Sequence, residues 1–331
     1  MEIGFNKSEI MNRSLSYAVR AFRQEVFSFR LDYPVEVIEK AGSPSCLHYY
    51  LWNPSLFLDH LDFDEHGVPQ KRYRAQGPQY NPLFIAWWGL SNLEQYLQTQ
   101  DQAYLRKFQV QVAWLKANAV RRDDGAVVWP CYFDWQEGLC KLTSPWISAM
   151  YQGVVISTLV RAYRINGDSE LLNLCKEATL VFSRPIEGGG VKTSEGGRTL
   201  YEEYPAYPLP RVLDGFLFSL LGLYDLAVET GSSDIRQLFE DGIDGLKSTL
   251  QFWNYRNKWS WYGSHGYLCP PHYHKLNAVL LSILGRLTDD DDLRHFARVW
   301  DPKSRSVVDK IEIFLMFIFT KNRARLRLPR N

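Results

Sequence analysis

Cysteine is scarce in this chain and follows no pattern. The 331 residues include five cysteines, an odd count, and no two of them have CxxC spacing. They are Cys46, Cys131, Cys140, Cys175 and Cys269. The sequence therefore indicates neither a disulfide framework nor a zinc site, and it fits a reducing compartment.

Long apolar runs are missing as well. The N-terminus, MEIGFNKSEIMNRS, lacks the apolar segment of a secretory signal. The longest apolar run, IFLMFIF at 313–319, is too short to span a bilayer. We therefore expect a cytoplasmic protein. Because the basic stretch KNRARLRLPR follows this run, a packed terminal helix with a solvated basic end is one interpretation, and peripheral association with a membrane surface is the other.

Several common kinds of site leave no trace in the sequence. It contains no GxSxG motif, no P-loop and no GxGxxG that opens a helix after a strand. A net charge of +1 gives no whole-chain field for nucleic acid. His272 and His274 form an HxH pair without a third ligand nearby in the sequence. We therefore expect no cofactor, no metal and no nucleic-acid partner.

Aromatic side chains, by contrast, are abundant. The chain has 11 Trp, 19 Tyr and 18 Phe, which together make 15% of its residues. Aromatic faces stack on the apolar faces of sugar rings, so this content suits a carbohydrate cleft. A large aromatic core explains it equally well, and composition alone leaves both interpretations open.

A repeat of helix pairs organises most of the chain. Four times, a long apolar segment is followed by a polar turn and a more amphipathic segment. The apolar segments are PLFIAWWGLSNLEQYL, WISAMYQGVVISTLVRAY, VLDGFLFSLLGLYDLAVE and YHKLNAVLLSILGRL. Helices that are apolar nearly all round are buried, whereas those with one polar face lie outside. This alternation predicts an all-α fold with short β-hairpins, an incomplete (α/α) toroid of about four helix pairs.

The pattern also divides the chain. We predict an N-terminal extension with short strands, packed on the toroid, over residues 1–80, the toroid over 81–301, and a C-terminal helix with a basic tail over 302–331. Three links, 123–135, 187–205 and 254–271, combine turn signals with β-prone aromatic runs, which is typical of β-hairpins. Each link joins an outer helix to the next inner helix. The links therefore emerge at one end of the toroid, where we expect the chemistry.

The strongest candidate for chemistry is YEEYP, Tyr201 to Pro205. Glu202 and Glu203 lie between two phenols, just before an apolar helix. A solvated loop would not need the aromatic residues, and a core segment would not tolerate the carboxylates. The combination suits a site that transfers protons next to a sugar. The alternative is a glutamate that caps the helix and tyrosines that pack the loop.

Three other segments bring polar groups to the same predicted end. PPHYHK at 270–275 precedes the fourth inner helix, and we expect it to hydrogen-bond a polar ligand or to serve the helix N-terminus. WSWYGSH at 259–265 reads as an aromatic hairpin with one imidazole. SPWISAMYQG at 144–153 places the polar Gln152 in an apolar helix, where a purely structural role is equally open.

Together these segments resemble the catalytic domain of the D-glucuronyl C5-epimerases, which convert glucuronate to iduronate within heparan-type polymers. The resemblance is carried by SPWISAMYQGVVISTLVRAY, by YEEYP followed by VLDGFLFSLLGLYDL, and by HYHKLN. NPLFIAWWGLSN is similar to the family's first inner helix more loosely. The similarity runs from about Gly67 to Trp300.

The resemblance implies a set of site residues. Glu203 and Tyr204 match the acidic and phenolic pair of the family's active site, Tyr273 matches the tyrosine of its terminal YH motif, and Tyr262 matches a tyrosine of the preceding hairpin. These are the expected catalytic residues. The residues expected to bind substrate are Glu202, His265, His274, Gln152, Tyr80 and Trp261.

The chain also departs from the family pattern. His265 stands three residues after the hairpin tyrosine, where the family's vertebrate members have an arginine that could hold the uronate carboxylate. Asp214 stands where an asparagine is usual. We expect a protonated His265 or His274 to neutralise the carboxylate in place of arginine.

The activity that the resemblance implies is inversion at C5 of D-glucuronate residues in a heparosan-like polysaccharide. Such a reaction needs two acid/base groups on opposite faces of the sugar, and Glu203 and Tyr273 are the expected pair. A uronate polysaccharide lyase and a catalytically inactive polysaccharide-binding protein are the alternatives. The expected partner is a glucuronate-containing polysaccharide. Association with polysaccharide-assembly machinery and a homodimer stay open.

Overall fold

The computed structural model describes residues 35–52 and 61–327, together with the single positions Val19, Arg23 and Phe29. Helices dominate this part of the chain. They are α1 (Pro82–Thr99), α2 (Gln102–Ala117), α3 (Ala149–Asn166), α4 (Ser169–Ala178), α5 (Leu180–Ser183), α6 (Leu213–Thr230), α7 (Ser233–Trp253), α8 (Pro271–Leu287), α9 (Asp291–Val299) and α10 (Val307–Arg325).

Most of these helices begin where a short polar side chain can accept a hydrogen bond from an amide of the first turn. The residues that do so are Asn81, Asp101, Ser148, Asp168, Ser232, Asp290 and Ser306. Because the second helix of each pair begins at such a residue, the two helices of a pair are separated by turns of only a few residues. This local chemistry explains why the sequence predicted the turns well.

The backbones of α3 and α6 cross closely at two glycines. A Cβ on Gly153 would lie 2.6 Å from the Cα of Ser219, and one on Gly222 would overlap the backbone of Gly153. Glycine permits this approach because it has no side chain. Both helices are buried over most of their length, as expected for the inner layer.

The helix pairs follow one another in an arc. Among the inner helices, α1 packs against α3, α3 against α6 and α6 against α8. Among the outer helices, α2 packs on α1, α4 on α3, α7 on α6 and α9 on α8. The fold is therefore all-α with short β-hairpins, an incomplete (α/α) toroid of four helix pairs, as the sequence predicted.

Short antiparallel strands fill the connections. They are β1 (Glu36–Val37), β2 (Leu51–Trp52), β3 (Leu61–Phe63), β4 (Pro69–Tyr73), β5 (Gly77–Tyr80), β6 (Val120–Arg121), β7 (Val127–Val128), β8 (Trp135–Glu137), β9 (Cys140–Leu142), β10 (Lys192–Glu195), β11 (Arg198–Tyr201), β12 (Asn254–Tyr255) and β13 (Trp259–Ser260). The hairpins β10–β11 and β12–β13 lie within the links 187–205 and 254–271, as predicted. Near the first link, 123–135, β6–β7 begins three residues earlier and β8–β9 extends to Leu142, so a second hairpin follows that the sequence did not predict. The sheet β3–β4–β5 leads directly into α1.

The last helix, α10, packs outside the helix pairs. Its residues Ile313 and Phe317 are buried in a second apolar cluster with Trp259 of β13. Within the described ranges, no helix is both long and apolar enough to cross a membrane. The three-part division of the chain stays a prediction, and most of residues 1–34, residues 53–60 and the last four residues of the basic tail lie outside the described part.

Candidate active site

A cavity of about 220 Å³ lies at the N-terminal ends of the inner helices, next to the hairpins. Aromatic rings make up most of its wall, and two carboxylates and one ammonium group complete it. The lining residues are Lys71, Tyr73, Leu83, Phe84, Trp87, Phe133, Trp135, Trp146, Met150, Tyr151, Glu203, Tyr204, Asp214, Tyr262 and Tyr273. The four residues expected to be catalytic, Glu203, Tyr204, Tyr262 and Tyr273, are all among them.

The YEEYP segment turns its two glutamates in different directions. Glu203 faces the cavity, whereas Glu202 is buried beside it and binds elsewhere. A carboxylate oxygen of Glu202 accepts hydrogen bonds from the guanidinium of Arg211 and from the hydroxyl of Thr193, at 2.7 Å for the hydroxyl. The main chain is fixed as well, since the Ala149 amide donates to the Glu202 carbonyl at 3.1 Å. Glu202 therefore anchors the segment and does not line the cavity.

Glu203 is buried against the first turn of α6. Its carboxylate occupies the space that a side chain on Gly215 would fill. Burial raises the pKa of Glu203 well above its usual range, and the neighbouring Asp214 raises it further. A carboxyl group in this state is a stronger base than a solvated one once it has lost its proton.

Asp214 is the second carboxyl group in the cavity. Burial raises its pKa to about 7, although hydrogen bonds from its own amide and from the Gly215 amide oppose the shift. Asp214 and Glu203 therefore interact strongly and hold fewer than two negative charges near neutral pH. The sequence marked Asp214 only as a departure from the family pattern.

The tyrosines of the cavity come from separate elements and contact one another through aromatic rings. The ring centroids of Tyr262 and Tyr273 are 5.7 Å apart, and Trp146 lies 6.0 Å from Tyr204. Burial raises the pKa of Tyr273, and Asp214 and Glu203 add to the shift. The pKa values of Tyr204 and Tyr262 are raised by burial and by acidic neighbours too. All three phenols therefore keep their protons near neutral pH and are able to donate hydrogen bonds.

His265 lies behind this wall, outside the lining residues. Its Nδ1 is 2.9 Å from the carbonyl oxygen of Tyr262, and its Nε2 is 2.9 Å from Oε1 of Glu137, an ion-pair distance whose angle does not suit a hydrogen bond. Gly138, with φ +59°, leaves the space that this imidazole fills. His265 thus positions the Tyr262 loop against hairpin β8–β9.

The structure does not bring His274 to the cavity. Its Nδ1 accepts a hydrogen bond from the Ser260 amide at 3.1 Å, and its Nε2 lies 2.8 Å from the carbonyl oxygen of Trp300. Burial lowers its pKa well below the usual range. His274 is therefore a neutral imidazole that joins β13 to α9, and the expected cationic contact with substrate has no support from this geometry.

Three other residues expected to bind substrate also lie elsewhere. Gln152 is buried and pairs with the backbone of β7 and Trp129, at 3.0 Å in both hydrogen bonds. Trp261 packs on Tyr255, and Tyr80 donates to Asp64 at 2.8 Å. Each of these side chains already has a partner in the fold.

Sequence reasoning missed part of the cavity wall. Trp135 lies in the link 123–135 and Trp146 in the segment 144–153, both of which the sequence singled out, so a signal for them existed. Tyr151 lies in the same segment, 144–153, although the sequence did not name it individually. Lys71 and Tyr73 reach the cavity from β4, and no local pattern marked them. Among the described residues, no group of three His, Cys, Asp or Glu side chains could hold a metal ion.

Comparison with known proteins bears on this arrangement. The sequence model of the family described as D-glucuronyl C5-epimerase C-terminus matches residues 122–302, which is more than half of the chain. The chain belongs to this family. The matched residues include Glu203, Tyr204, Asp214, Tyr262 and Tyr273, whereas the β3–β4–β5 sheet and α1 precede the match.

Two known proteins are similar to this chain over part of their length. An uncharacterized protein of Methanocaldococcus jannaschii is 29% identical over 178 residues, which cover 53% of this chain and 57% of that protein. The D-glucuronyl C5-epimerase of Caenorhabditis elegans is 28% identical over 230 residues, which cover 64% of this chain and 37% of the enzyme. The chain therefore spans about half or less of these relatives.

Among solved structures, a GH76 α-mannanase of Bacteroides thetaiotaomicron aligns with a TM-score of 0.48 and 12% identity. The alignment covers 82% of this chain and 78% of the mannanase.

Proposed function

We propose that this protein is a polysaccharide D-glucuronyl C5-epimerase, which converts D-glucuronate residues within a polymer to L-iduronate. The observation that carries the proposal is the position of Glu203 and Tyr273, which reach one cavity from two different elements, the loop after β11 and the first turn of α8. Inversion at C5 needs a base on one face of the sugar ring and an acid on the other. The cavity offers both, surrounded by aromatic rings that suit a sugar.

In the proposed reaction, the ionised carboxylate of Glu203 takes the C5 proton, and the electron pair of the broken C–H bond moves into the uronate carboxylate. Tyr273 then donates its phenolic proton to C5 from the opposite face. The raised pKa of Tyr273 means that the phenol holds its proton near neutral pH, so this proton is present for donation to C5. Proton exchange with solvent returns Tyr273 and Glu203 to their starting states.

Two other phenols support the intermediate in this proposal. Tyr204 and Tyr262 keep their protons near neutral pH and line the same cavity. Their O–H groups would donate hydrogen bonds to the carboxylate oxygens as negative charge builds on them. Donors that are already in place stabilise such charge strongly in a site without water.

The test is proton exchange at C5 in deuterated water. We would incubate the wild type with heparosan and other glucuronate polymers and expect deuterium at C5 and a fraction of iduronate without chain cleavage. Glu203→Gln and Tyr273→Phe should abolish exchange. Glu240→Gln and Tyr104→Phe, on the outer helices α7 and α2, should keep it and serve as matched controls.

Other outcomes would point to other activities. Unsaturated chain ends would show a uronate lyase, which starts with the same proton abstraction but expels the substituent at C4. Polymer binding without exchange would show a binding protein. Either result, or wild-type exchange in Glu203→Gln, would overturn the proposal.

A further inference from the structure

Lys71 is the only cation among the described residues that line the cavity. It lies in the middle of β4 and pairs with Leu61 of β3 on one side and with Gln79 of β5 on the other. Its ammonium group stands 4.9 Å above the ring of Phe84, which also lines the cavity. Strand pairing and the aromatic ring thus hold one positive charge at the cavity wall.

The ammonium group of Lys71 matters because the other ionisable groups of the cavity wall are carboxyls and phenols. A uronate would add a carboxylate to a buried space that already holds Glu203 and Asp214. A carboxylate that leaves water without a charged or hydrogen-bonding partner is strongly disfavoured. The raised pKa values of Glu203 and Asp214 reduce the negative charge of the cavity but supply no positive charge.

Two other basic side chains near the site, Arg211 and His265, do not line the cavity. Arg211 binds Glu202 and Glu195, with 2.9 Å between its Nη2 and Oε2 of Glu195. His265 contacts Glu137 and the Tyr262 carbonyl and does not line the cavity.

We propose that Lys71 binds the carboxylate of the sugar and so makes the cavity selective for uronates over neutral hexoses. This inference rests on the proposed function, because it takes a uronate polymer as the ligand. It assigns to the N-terminal sheet, which precedes the family match at residues 122–302, the charge that the missing arginine would have supplied.

The test measures the binding of two ligands and does not depend on a reaction rate. Binding of a glucuronate oligosaccharide and of its carboxyl-reduced, neutral form is measured for the wild type, Lys71→Met and Lys71→Arg. We expect the wild type to prefer the uronate and Lys71→Met to lose about tenfold to a hundredfold of that preference, as expected for one charged hydrogen bond. Affinity for the neutral oligosaccharide should not change, and Lys71→Arg should keep the preference.

Arg72 provides a matched control. It is the next residue of β4 and pairs with Asp62 on the other side of the sheet, 2.7 Å away. Arg72→Met removes the same charge from the protein without touching the cavity, so the preference should survive. A preserved preference in Lys71→Met, or no preference in the wild type, would overturn the role of Lys71. Exchange at C5 is measured separately from binding. An absence of exchange would therefore contradict the epimerase proposal, whereas the binding preference tests the role of Lys71.

A second feature, on the surface, supports an independent inference. One face of α10 carries large apolar side chains with 55–88% of their area exposed, spaced by three, four or seven residues. They are Val308, Ile311, Leu315, Phe319 and Leu326. This apolar stripe extends about 27 Å at 1.5 Å per residue. Exposed apolar surface of this extent on a soluble domain usually marks a binding surface.

The charges on α10 indicate what covers the stripe. Its acidic residues, Asp309 and Glu312, are both paired with Lys258, at 2.6 and 2.7 Å. Its C-terminal end exposes Arg323 and is followed by the exposed Arg327. An amphipathic helix with an apolar stripe and a basic end is complementary to an anionic bilayer surface.

We infer that α10 docks the protein on an anionic membrane surface. Sedimentation with vesicles tests this with the full chain. Vesicles that contain phosphatidylglycerol should bind the wild type, and pure phosphatidylcholine vesicles should bind it at least tenfold more weakly. The double variant Leu315→Ser, Phe319→Ser should lose at least tenfold in vesicle binding. The control variant Val120→Ser changes an exposed apolar residue of β6, outside the stripe, and should bind vesicles as the wild type does.

Two results would overturn the membrane inference. One is equal or absent binding to both kinds of vesicle. The other is a dimer, seen by light scattering, that the Leu315→Ser, Phe319→Ser variant dissociates, because the stripe would then be an interface between two copies of the chain.

Discussion

The carboxylate of Glu203 occupies the space where Gly215 lacks a side chain, on the first turn of α6. This contact fixes the proposed base relative to an inner helix of the toroid. It also makes a residue without functional groups important for the position of the site.

Gly215→Ala should therefore impair activity more than stability. The new Cβ would overlap the Glu203 carboxylate and displace it, and a displacement of about 1 Å in an active site can lower the rate about a hundredfold. Exchange at C5 and thermal unfolding measure the two effects. Gly188→Ala is the control, because a Cβ there makes only ordinary contacts. Wild-type exchange in Gly215→Ala would contradict the proposed position of the base.

The stability of the protein should fall as the pH rises from about 4 to about 7. The pKa of Asp214 is about 7 in the folded protein, against a usual value of 3.8, so the folded state binds more protons than the unfolded state in this window. The contribution of Asp214 to stability falls with pH wherever this holds and levels off above pH 7.

Urea unfolding at pH 5 and pH 8 checks this dependence on Asp214. Relative to Asp214→Asn, the wild type should lose additional unfolding free energy between the two pH values, on the order of 3 kcal/mol at most for a folded-state pKa of about 7. Asp234→Asn, an exposed acid in the first turn of α7, should behave as the wild type. An equal loss of unfolding free energy in the wild type and in Asp214→Asn would rule out Asp214 as the origin of the pH dependence.

Removal of a single phenol should slow the proposed reaction without abolishing substrate binding. Tyr204→Phe and Tyr262→Phe keep the ring packing against Trp146 and Tyr273 but remove one hydrogen-bond donor each. We expect a loss of about a hundredfold in kcat, as for other single donors to a developing negative charge. Steady-state rates with separate KM values test this, and an effect confined to KM would argue against the assignment.

A buried ion pair far from the cavity should govern stability alone. Nη1 of Arg161 in α3 lies 2.7 Å from Oδ2 of Asp225 in α6, and Tyr50 and Ser157 donate to the same carboxylate at 2.6 Å. Asp225→Ala leaves a buried guanidinium unpaired and should cost about 3–5 kcal/mol in urea unfolding. Asp234→Ala should cost less than about 1 kcal/mol. A loss of similar size in both variants would show that the pair contributes little.

The amino-acid sequence by itself determined the helix pairs, their turns and the hairpins between them. These features depend on the apolar period and on residues such as Asp101 and Asp168, which cap a helix a few positions away. It also contained the YEEYP segment and the family match that includes it. Such signals are local, because neighbouring residues produce them.

The tertiary structure decided which side chains meet. Glu202 and Glu203 are adjacent in sequence, yet one binds Arg211 and the other faces the cavity. His274 has the chemistry of a ligand-binding group, but β13 and Trp300 take both of its nitrogens. Lys71 reaches the cavity only because the β3–β4–β5 sheet leads into α1. Burial, hydrogen-bond partners and contacts between distant segments depend on packing, which no local pattern encodes.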